Sequence, residues 1–225
     1  MIAAKRIELL VRKALNLTPR ASEGIVSYDI DNLYPQRIAN LIDASKTATA
    51  CCDKAKENII CEGFVNEEFA AKTNEHGQDM NDVLEFVADE IPRYRGYGLI
   101  VQYGGDGRPL YCYPVPFGTF APFLTKTTNA IRSYANGAYL TIGSAKMFKD
   151  TNVKTGVVYP NFNPKNFWKE CEEYGGIENH PGQLYYANFS NRRPYPISPF
   201  HAVQPEMEAE HGNALYVENV LARGY

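Results

Sequence analysis

Histidine and cysteine are the residues of this chain best suited to metal binding and nucleophilic chemistry, and their spacing decides whether such a site is predicted. The four histidines are His76, His180, His201 and His211. None has a second histidine, a cysteine or a carboxylate at the spacing of a metal site, and His211 follows Glu210 on a predicted solvated helix face. The sequence therefore predicts no metal site.

Catalytic motifs give no stronger signal. The chain has no Gly-x-Ser-x-Gly elbow, no Gly-Lys-Ser phosphate loop and no dinucleotide fingerprint. The glycine-rich run Gly104–Gly107 precedes a predicted strand rather than a helix, which favours a hairpin turn. We expect no cofactor, no catalytic residue and no enzymatic activity. A hydrolase or transferase built from the distant residues Cys52, His180 and Asp106 is the alternative.

The cysteines and the overall charge narrow the class of protein further. Five cysteines, an odd number in a chain of this size, indicate a reducing environment in which thiols serve as small apolar residues. The chain has 26 acidic and 23 basic residues and a net charge of −3, which argues against a protein that grips nucleic acid through a basic patch. Double-stranded DNA that passes without sequence-specific contacts remains compatible with this charge.

The aromatic residues allow two interpretations. The chain contains 16 Tyr and 11 Phe but 1 Trp. Tyr is a good strand residue, so the enrichment fits a β-rich region. Tyr also combines apolar area with a polar hydroxyl, which suits half-exposed contacts between subunits.

Residues 1–31 are predicted to form an N-terminal helix and arm. The apolar residues of positions 1–17 follow helical spacing, Pro19 ends the helix, and residues 20–29 are polar enough for a linker. The segment lacks the apolar core of a secretory signal, and no stretch approaches the roughly 20 apolar residues of a membrane helix. We therefore expect a soluble protein without a membrane partner.

A long helix is predicted from Pro35 to Cys61. Asp31 and Asn32 are candidate caps, and Gly63 ends the helix. The middle of the helix consists almost entirely of small side chains, which permit close approach of another backbone. We name Ala44 and Ala48 as candidate subunit contacts, with packing inside one subunit as the alternative.

A second helix and a series of short strands follow. The helix begins after Asp79, a good cap, and Pro92 predicts a kinked or separate last turn. Alternating patterns then predict strands, with a short helix from Pro164 to Tyr174 between the last two. The predicted strands cover residues 99–103, 110–115, 119–123, 138–142, 153–159 and 183–189. This part is expected to form a layer of mostly antiparallel strands.

The last segment contains a proline-stiffened loop and another helix. Arg192, Arg193 and Tyr195 lie in the loop and are candidate subunit contacts, as is Glu210 in the helix. One helix face carries Met207, His211, Ala214, Val217 and Leu221, and the opposite side carries Glu206, Glu210 and Glu218. The helix either packs back on the β layer or leads into a further part of the protein.

Together these elements predict an α+β fold: long N-terminal helices packed on a mostly antiparallel β layer, followed by a C-terminal amphipathic helix. Residues 32–225 form one domain in this interpretation.

The order of several short landmarks resembles a known family. The landmarks are Asn32-Leu-Tyr-Pro-Gln-Arg37, Ile59-Ile-Cys-Glu-Gly-Phe64, Gly96-Tyr-Gly-Leu-Ile-Val101, Tyr113-Pro-Val-Pro-Phe117, Asn161-Phe-Asn-Pro164, Gly182-Gln-Leu-Tyr-Tyr186, Tyr195-Pro-Ile-Ser-Pro-Phe200 and Asn219-Val-Leu-Ala-Arg-Gly-Tyr225. From Asn32 onward the chain resembles the portal proteins of tailed phages and prophages, particularly a group associated with Bacteroides-type hosts.

The resemblance implies a structural role. Portal proteins form a ring, typically a dodecamer, at one capsid vertex, and DNA passes through it during packaging and ejection. The implied partners are further copies of the chain, the terminase motor, the capsid, head-completion proteins and double-stranded DNA that passes non-specifically. The implied location is the virion, assembled in the host cytoplasm.

Residues 32–225 match the α+β wing of a portal, whose whole chain is usually about twice as long, so we expect a fragment. The alternative is another phage-derived adaptor or protein-binding module without a channel.

Overall fold

The computed structural model of the protein describes residues 17–20, 25–28, 33–122, 137–140, 157–189 and 196–222. The caps predicted at Asp31 and Asn32, residues 1–16 of the predicted first helix, and the candidate residues Arg192, Arg193 and Tyr195 lie outside these ranges. Strands β1 (Leu17–Arg20) and β2 (Ile25–Tyr28) form an antiparallel ribbon in which Leu17 lies opposite Tyr28. The predictions of helix at Leu17 and of linker across residues 25–28 were therefore wrong. The β-branched pair Ile25 and Val26 favours a strand, and a two-stranded ribbon has the free edges that Pro19 needs.

The long helix predicted from Pro35 to Cys61 is divided in two. Helix α1 spans Tyr34–Ala44 and helix α2 spans Lys46–Ile60. Ser45 between them has extended backbone angles, φ −104° and ψ 114°, and its hydroxyl oxygen accepts a hydrogen bond from the N–H of Ala48 at 3.1 Å. The prediction failed here because a serine side chain can replace a helical hydrogen bond, which ends one helix and caps the next.

Helices α3 (Glu67–Ala70) and α4 (Met80–Tyr94) follow. The cap predicted at Asp79 is confirmed, and it exchanges hydrogen bonds with Asp82 in a capping box. Helix α4 runs without interruption through Pro92 to Tyr94, so the separate last turn is not formed. Pro92 lacks only its own N–H, the donor to the carbonyl of Ala88, and the helix continues past this single missing hydrogen bond. Helix α4 packs against α2.

The strands form two further antiparallel sheets. In the first, β3 (Gly96–Tyr103) lies between β4 (Pro109–Val115) and β8 (Gln183–Asn188). Ile100 of the central strand pairs with Tyr113 on one side and Leu184 on the other. The second sheet has the order β5 (Phe120–Pro122), β6 (Gly137–Leu140) and β7 (Val157–Pro160). Each predicted strand is confirmed to within a few residues over its described part, as is the antiparallel arrangement, whereas residues 123, 141–142 and 153–156 of the predicted strands lie outside the described ranges.

Two further helices lie among the described residues. The helix predicted from Pro164 to Tyr174 forms as a 3-10 turn at Pro164–Asn166 followed by helix α5 (Phe167–Tyr174). Phe167 stacks on Tyr103 of the sheet with ring centroids 4.2 Å apart. Helix α6 (Gln204–Ala222) follows a 3-10 turn at Pro199–Val203. The α+β fold class is confirmed.

The main core lies between the helices and the first sheet. Ile38 and Ile42 of α1 are fully buried there with Val115 and Leu184 of the sheet. Burial of this apolar area stabilises the domain by about 25 cal/mol for each Å² removed from water.

A buried carboxyl group joins α4 to the turn that follows β4. Oε2 of Glu90 accepts a hydrogen bond of 2.9 Å from the N–H of Phe117, and the Phe117 ring stacks on Tyr94 with centroids 5.0 Å apart. Burial raises the pKa of Glu90 from 4.5 to about 8. Burial therefore favours the protonated form of this side chain.

We predict that Glu90→Gln removes most of a pH dependence of stability. Between pH 4.5 and about 8 the folded chain retains a proton that the unfolded chain releases, so the contribution of Glu90 is full at acid pH and is lost as pH rises through this window. The variant should gain free energy of unfolding at pH 9 relative to the wild type, by at most roughly 5 kcal/mol for a pKa that rises from 4.5 to about 8. Urea unfolding at pH 5 and pH 9 measures this gain. The exposed Glu62→Gln serves as the control, and equal pH slopes in all three proteins would contradict the prediction.

Candidate assembly surface

Helix α6 is attached to the domain through its first two turns. Met207 is 5% exposed and belongs to the main core, and the helix packs against α1 and the 3-10 turn before it. From His211 to Asn219 every residue of α6 is exposed. Over this stretch the described part of the chain covers no side of the helix.

The exposed part of α6 is rich in large apolar side chains. The exposed fractions are 44% for Leu215, 71% for Tyr216, 54% for Val217 and 73% for Leu221. Successive residues diverge by about 100° around a helix, so these side chains point in several directions rather than along one stripe. A helix that is apolar on several sides is normally buried, and a short isolated helix is only marginally stable in water. This surface therefore has the character of a contact surface.

The predicted amphipathic face of α6 is only partly confirmed. Of its five residues Met207 is buried, whereas His211, Ala214, Val217 and Leu221 are exposed. Helical periodicity identifies residues that share a face, but it does not show whether another element lies against that face.

Glu210 contacts the start of α2. Its Oε1 accepts hydrogen bonds from the N–H and the hydroxyl of Thr47 at 3.3 and 3.2 Å, and its Oε2 accepts from the hydroxyl of Ser45. The hydrogen bond from Ser45, followed by those from Thr47, holds the pKa of Glu210 below its ordinary value. The structure thus gives Glu210 a role within the chain, and its contact with a second subunit stays a prediction.

The small residues of α2 bring this helix close to α4. Ala48 and Cys52 are buried in the main core, so Ala48 packs inside one subunit, the alternative considered from the sequence. Ala44 is half-buried at the end of α1. Its contact with a second subunit stays a prediction.

An aromatic cluster lies on the face of the first sheet opposite the main core. Tyr97 lies 6.0 Å from Tyr185 and 6.2 Å from Phe189, and Phe162 lies 5.7 Å from Tyr185, measured between ring centroids. Tyr185 and Phe189 are exposed. Sequence analysis predicted half-exposed tyrosines in strands but not this cluster, because its members come from three separate segments.

Cys52, His180 and Asp106 have separate surroundings, and in the part of the chain that the structure describes no hydrogen bond or ion pair joins any two of them. Burial raises the pKa of the Cys52 thiol to about 11. Asp106 accepts the N–H of Arg108 at 3.0 Å within the turn between β3 and β4. Nε2 of His180 lies 3.3 Å from Oε2 of Glu170. Nδ1 of His180 accepts a hydrogen bond of 3.1 Å from the N–H of Gly182.

The surroundings of His180 form a buried polar network that sequence analysis missed. Gln183 is fully buried, and its Nε2 donates to Glu170 at 2.7 Å and to the carbonyl of Asn163 at 3.0 Å. Its Oε1 accepts from the N–H of Asn163 at 2.8 Å and from the hydroxyl of Tyr103. These bonds fix α5 and its leading turn to the sheet. They leave no polar atom of the Gln183 amide free for a substrate.

Within the described ranges no group of three or more His, Cys, Asp or Glu residues is placed to hold a metal ion. A search of the same residues also finds no helix with the length and apolar character needed to cross a bilayer.

We predict that Met207→Ala destabilises the chain by about 2–4 kcal/mol, because it leaves a cavity in the main core. Leu221→Ala on the same helix should change the free energy of unfolding of the isolated chain by less than about 0.5 kcal/mol, since Leu221 is exposed. Denaturant unfolding of dilute protein compares the two variants. Equal losses would show that the end of α6 is covered within the monomer.

We also predict that iodoacetamide at pH 8 modifies Cys51 much faster than its neighbour Cys52. Cys51 is exposed, whereas Cys52 is buried with its pKa raised to about 11. Peptide mass spectrometry over a time course distinguishes the two thiols. Rapid modification of Cys52 in the folded chain would contradict this prediction and would support the alternative in which the Cys52 thiol is a nucleophile.

The fold has similar structures among large particles. One is a chain of the "virion of native gene transfer agent (GTA) particle", with a TM-score of 0.56 and 12% sequence identity over 84% of this chain and 46% of the other. Another belongs to the "neck of empty GTA particle computed with C6 symmetry", with the same TM-score and identity over 84% of this chain and 47% of the other. The chain spans about half the length of these two structures, and at this identity the likeness shows the fold. No protein-family model and no curated protein gives a significant match.

Proposed function

We propose that the chain is the wing region of a portal-type subunit, a structural protein that forms a ring in the virion of a tailed phage or phage-like particle. The observation that carries this proposal is the apolar surface of α6, which the described chain leaves exposed. The fold likeness to chains from a gene transfer agent virion and its neck supports a role in such a particle. The order of landmarks from Asn32 onward favours the portal among the proteins of that particle.

The physical argument for a ring concerns the stability of α6. Its exposed turns carry Leu215, Tyr216, Val217 and Leu221, whose burial against another copy removes apolar area from water. A neighbour on each side in a closed ring can cover more than one side of the helix, which a partner on a single flat face cannot do. The multidirectional exposure of α6 therefore suits a ring.

The proposed ring forms the conduit for DNA packaging and ejection and docks the terminase motor, with the capsid and head-completion proteins as further partners. The net charge of −3 suits passage of DNA without tight phosphate contacts. Assembly takes place in the host cytoplasm in this proposal.

The proposed role is structural and not enzymatic. The raised pKa of Cys52 supports this proposal because it disfavours the nucleophilic thiolate. The hydrogen bonds of His180, Gln183 and Asp106 within the chain support it as well.

The experiment is to measure the particle mass of the protein encoded by the whole gene. We expect a closed ring of about a dozen copies. Val217→Asp, which places a charge on the exposed surface of α6, should abolish the ring while leaving the circular dichroism spectrum unchanged. Val65→Asp is the matched control, because Val65 is fully exposed between α2 and α3, and it should leave the ring intact.

Two results contradict the proposal in different ways. A strictly monomeric wild type at high concentration excludes the ring and favours a phage-derived adaptor or protein-binding module without a channel. Intact rings in Val217→Asp retain the ring but exclude α6 as the surface that holds it together.

A further inference from the structure

Local groups satisfy the N-terminus of α2 only in part. The first N–H groups of any helix have no partner within the helix, and a negative charge close to them is stabilising. Ser45 satisfies the N–H of Ala48 at 3.1 Å, but α2 has no acidic residue in its first turn. The N–H of Thr47 therefore needs an acceptor from elsewhere in the chain.

Glu210 supplies this acceptor from α6. It lies 163 residues beyond Thr47 in the sequence, and its Oε1 accepts both the N–H and the hydroxyl of Thr47. Its Oε2 accepts the hydroxyl of Ser45, the buried residue that separates α1 from α2. A single carboxylate thus contributes both the charge and the acceptors that the first turn of α2 lacks.

Two side chains near the start of α6 attach the helix to the domain. Met207 is buried in the main core, and Glu210, three residues later, lies on the same side of the helix. One attachment point fixes position, whereas two points about one turn apart also fix direction. Beyond Glu210 the described chain offers no covering contact up to Asn219.

We propose that Glu210 is a latch that sets the direction of α6 and couples it to the first turn of α2. While Glu210 is hydrogen-bonded to Ser45 and Thr47, the latch is closed, α6 holds one direction and the first turn of α2 is ordered. When these hydrogen bonds break, the latch is open and the N–H of Thr47 loses its acceptor. Met207 then keeps the helix attached, but the direction of α6 varies. The coupling runs both ways, so a partner that binds α6 in another direction also loosens the start of α2.

The latch is a property of the single chain, so it can be tested without a ring. Spin labels are placed on Cys51, which is exposed on α2, and on a cysteine introduced by Glu218→Cys in α6, with exposed Cys61 changed to Ser. Pulsed electron paramagnetic resonance on the dilute 225-residue chain then gives the distribution of distances between α2 and α6.

We expect a narrow distribution in this labelled parent and one at least about twice as wide after Glu210→Ala. Amide hydrogen exchange at Thr47 should accelerate about tenfold in the same variant, the size of effect expected for a lost helix cap. Glu208→Ala is the matched control, because Glu208 is an exposed acid on the same helix, and it should change neither measurement.

An unchanged distance distribution in Glu210→Ala overturns the latch, even if the variant is less stable, because Glu210 would then support the fold without directing α6. Equal broadening in Glu208→Ala overturns it too. If the alanine variant does not fold, Glu210→Asp replaces it, since the shorter side chain cannot reach Ser45 and Thr47 together. A narrow distribution with unchanged exchange in that variant also rejects the proposal.

Discussion

The break at Ser45 is the constraint on which the helical layer depends. Before the break α1 buries Ile38 and Ile42 fully against the sheet, and after it α2 packs against α4 with Ala48 and Cys52 in the same core. The serine hydroxyl supports this break because it accepts the N–H of Ala48, which has no helical acceptor at the start of α2. The same hydroxyl also meets Glu210, so the position of the C-terminal helix depends on this one residue as well.

Local signals in the sequence were sufficient to predict most of the individual helices and strands. Asp79 was predicted as a cap because its side chain acts on residues a few positions away, and the hairpin of β3 and β4 follows from alternating residues around a glycine-rich turn. The break at Ser45 was missed although serine is a good cap, because the small residues on both sides continue a helical pattern. Single-residue breaks of this kind are settled by tertiary contacts rather than by propensity.

The long-range arrangement could not be predicted from the same signals. Sequence analysis selected Glu210 but could not connect it with Ser45 and Thr47, which lie about 165 residues earlier. The polar network around Gln183 and the aromatic cluster around Tyr185 depend on which strands pair and in which register. Register is determined by the packing of the whole sheet, so residue types along one segment do not specify it.

The Gln183 amide illustrates how little freedom such a network leaves during evolution. Its oxygen accepts two hydrogen bonds and its nitrogen donates two, so the fully buried amide uses its whole hydrogen-bonding capacity. A glutamate would lose both donors and face the carboxylate of Glu170, and a leucine would leave four partners without their bonds. Deamidation of Gln183 would make the same change to glutamate chemically, so the loss of this one amide nitrogen would weaken the fold from within.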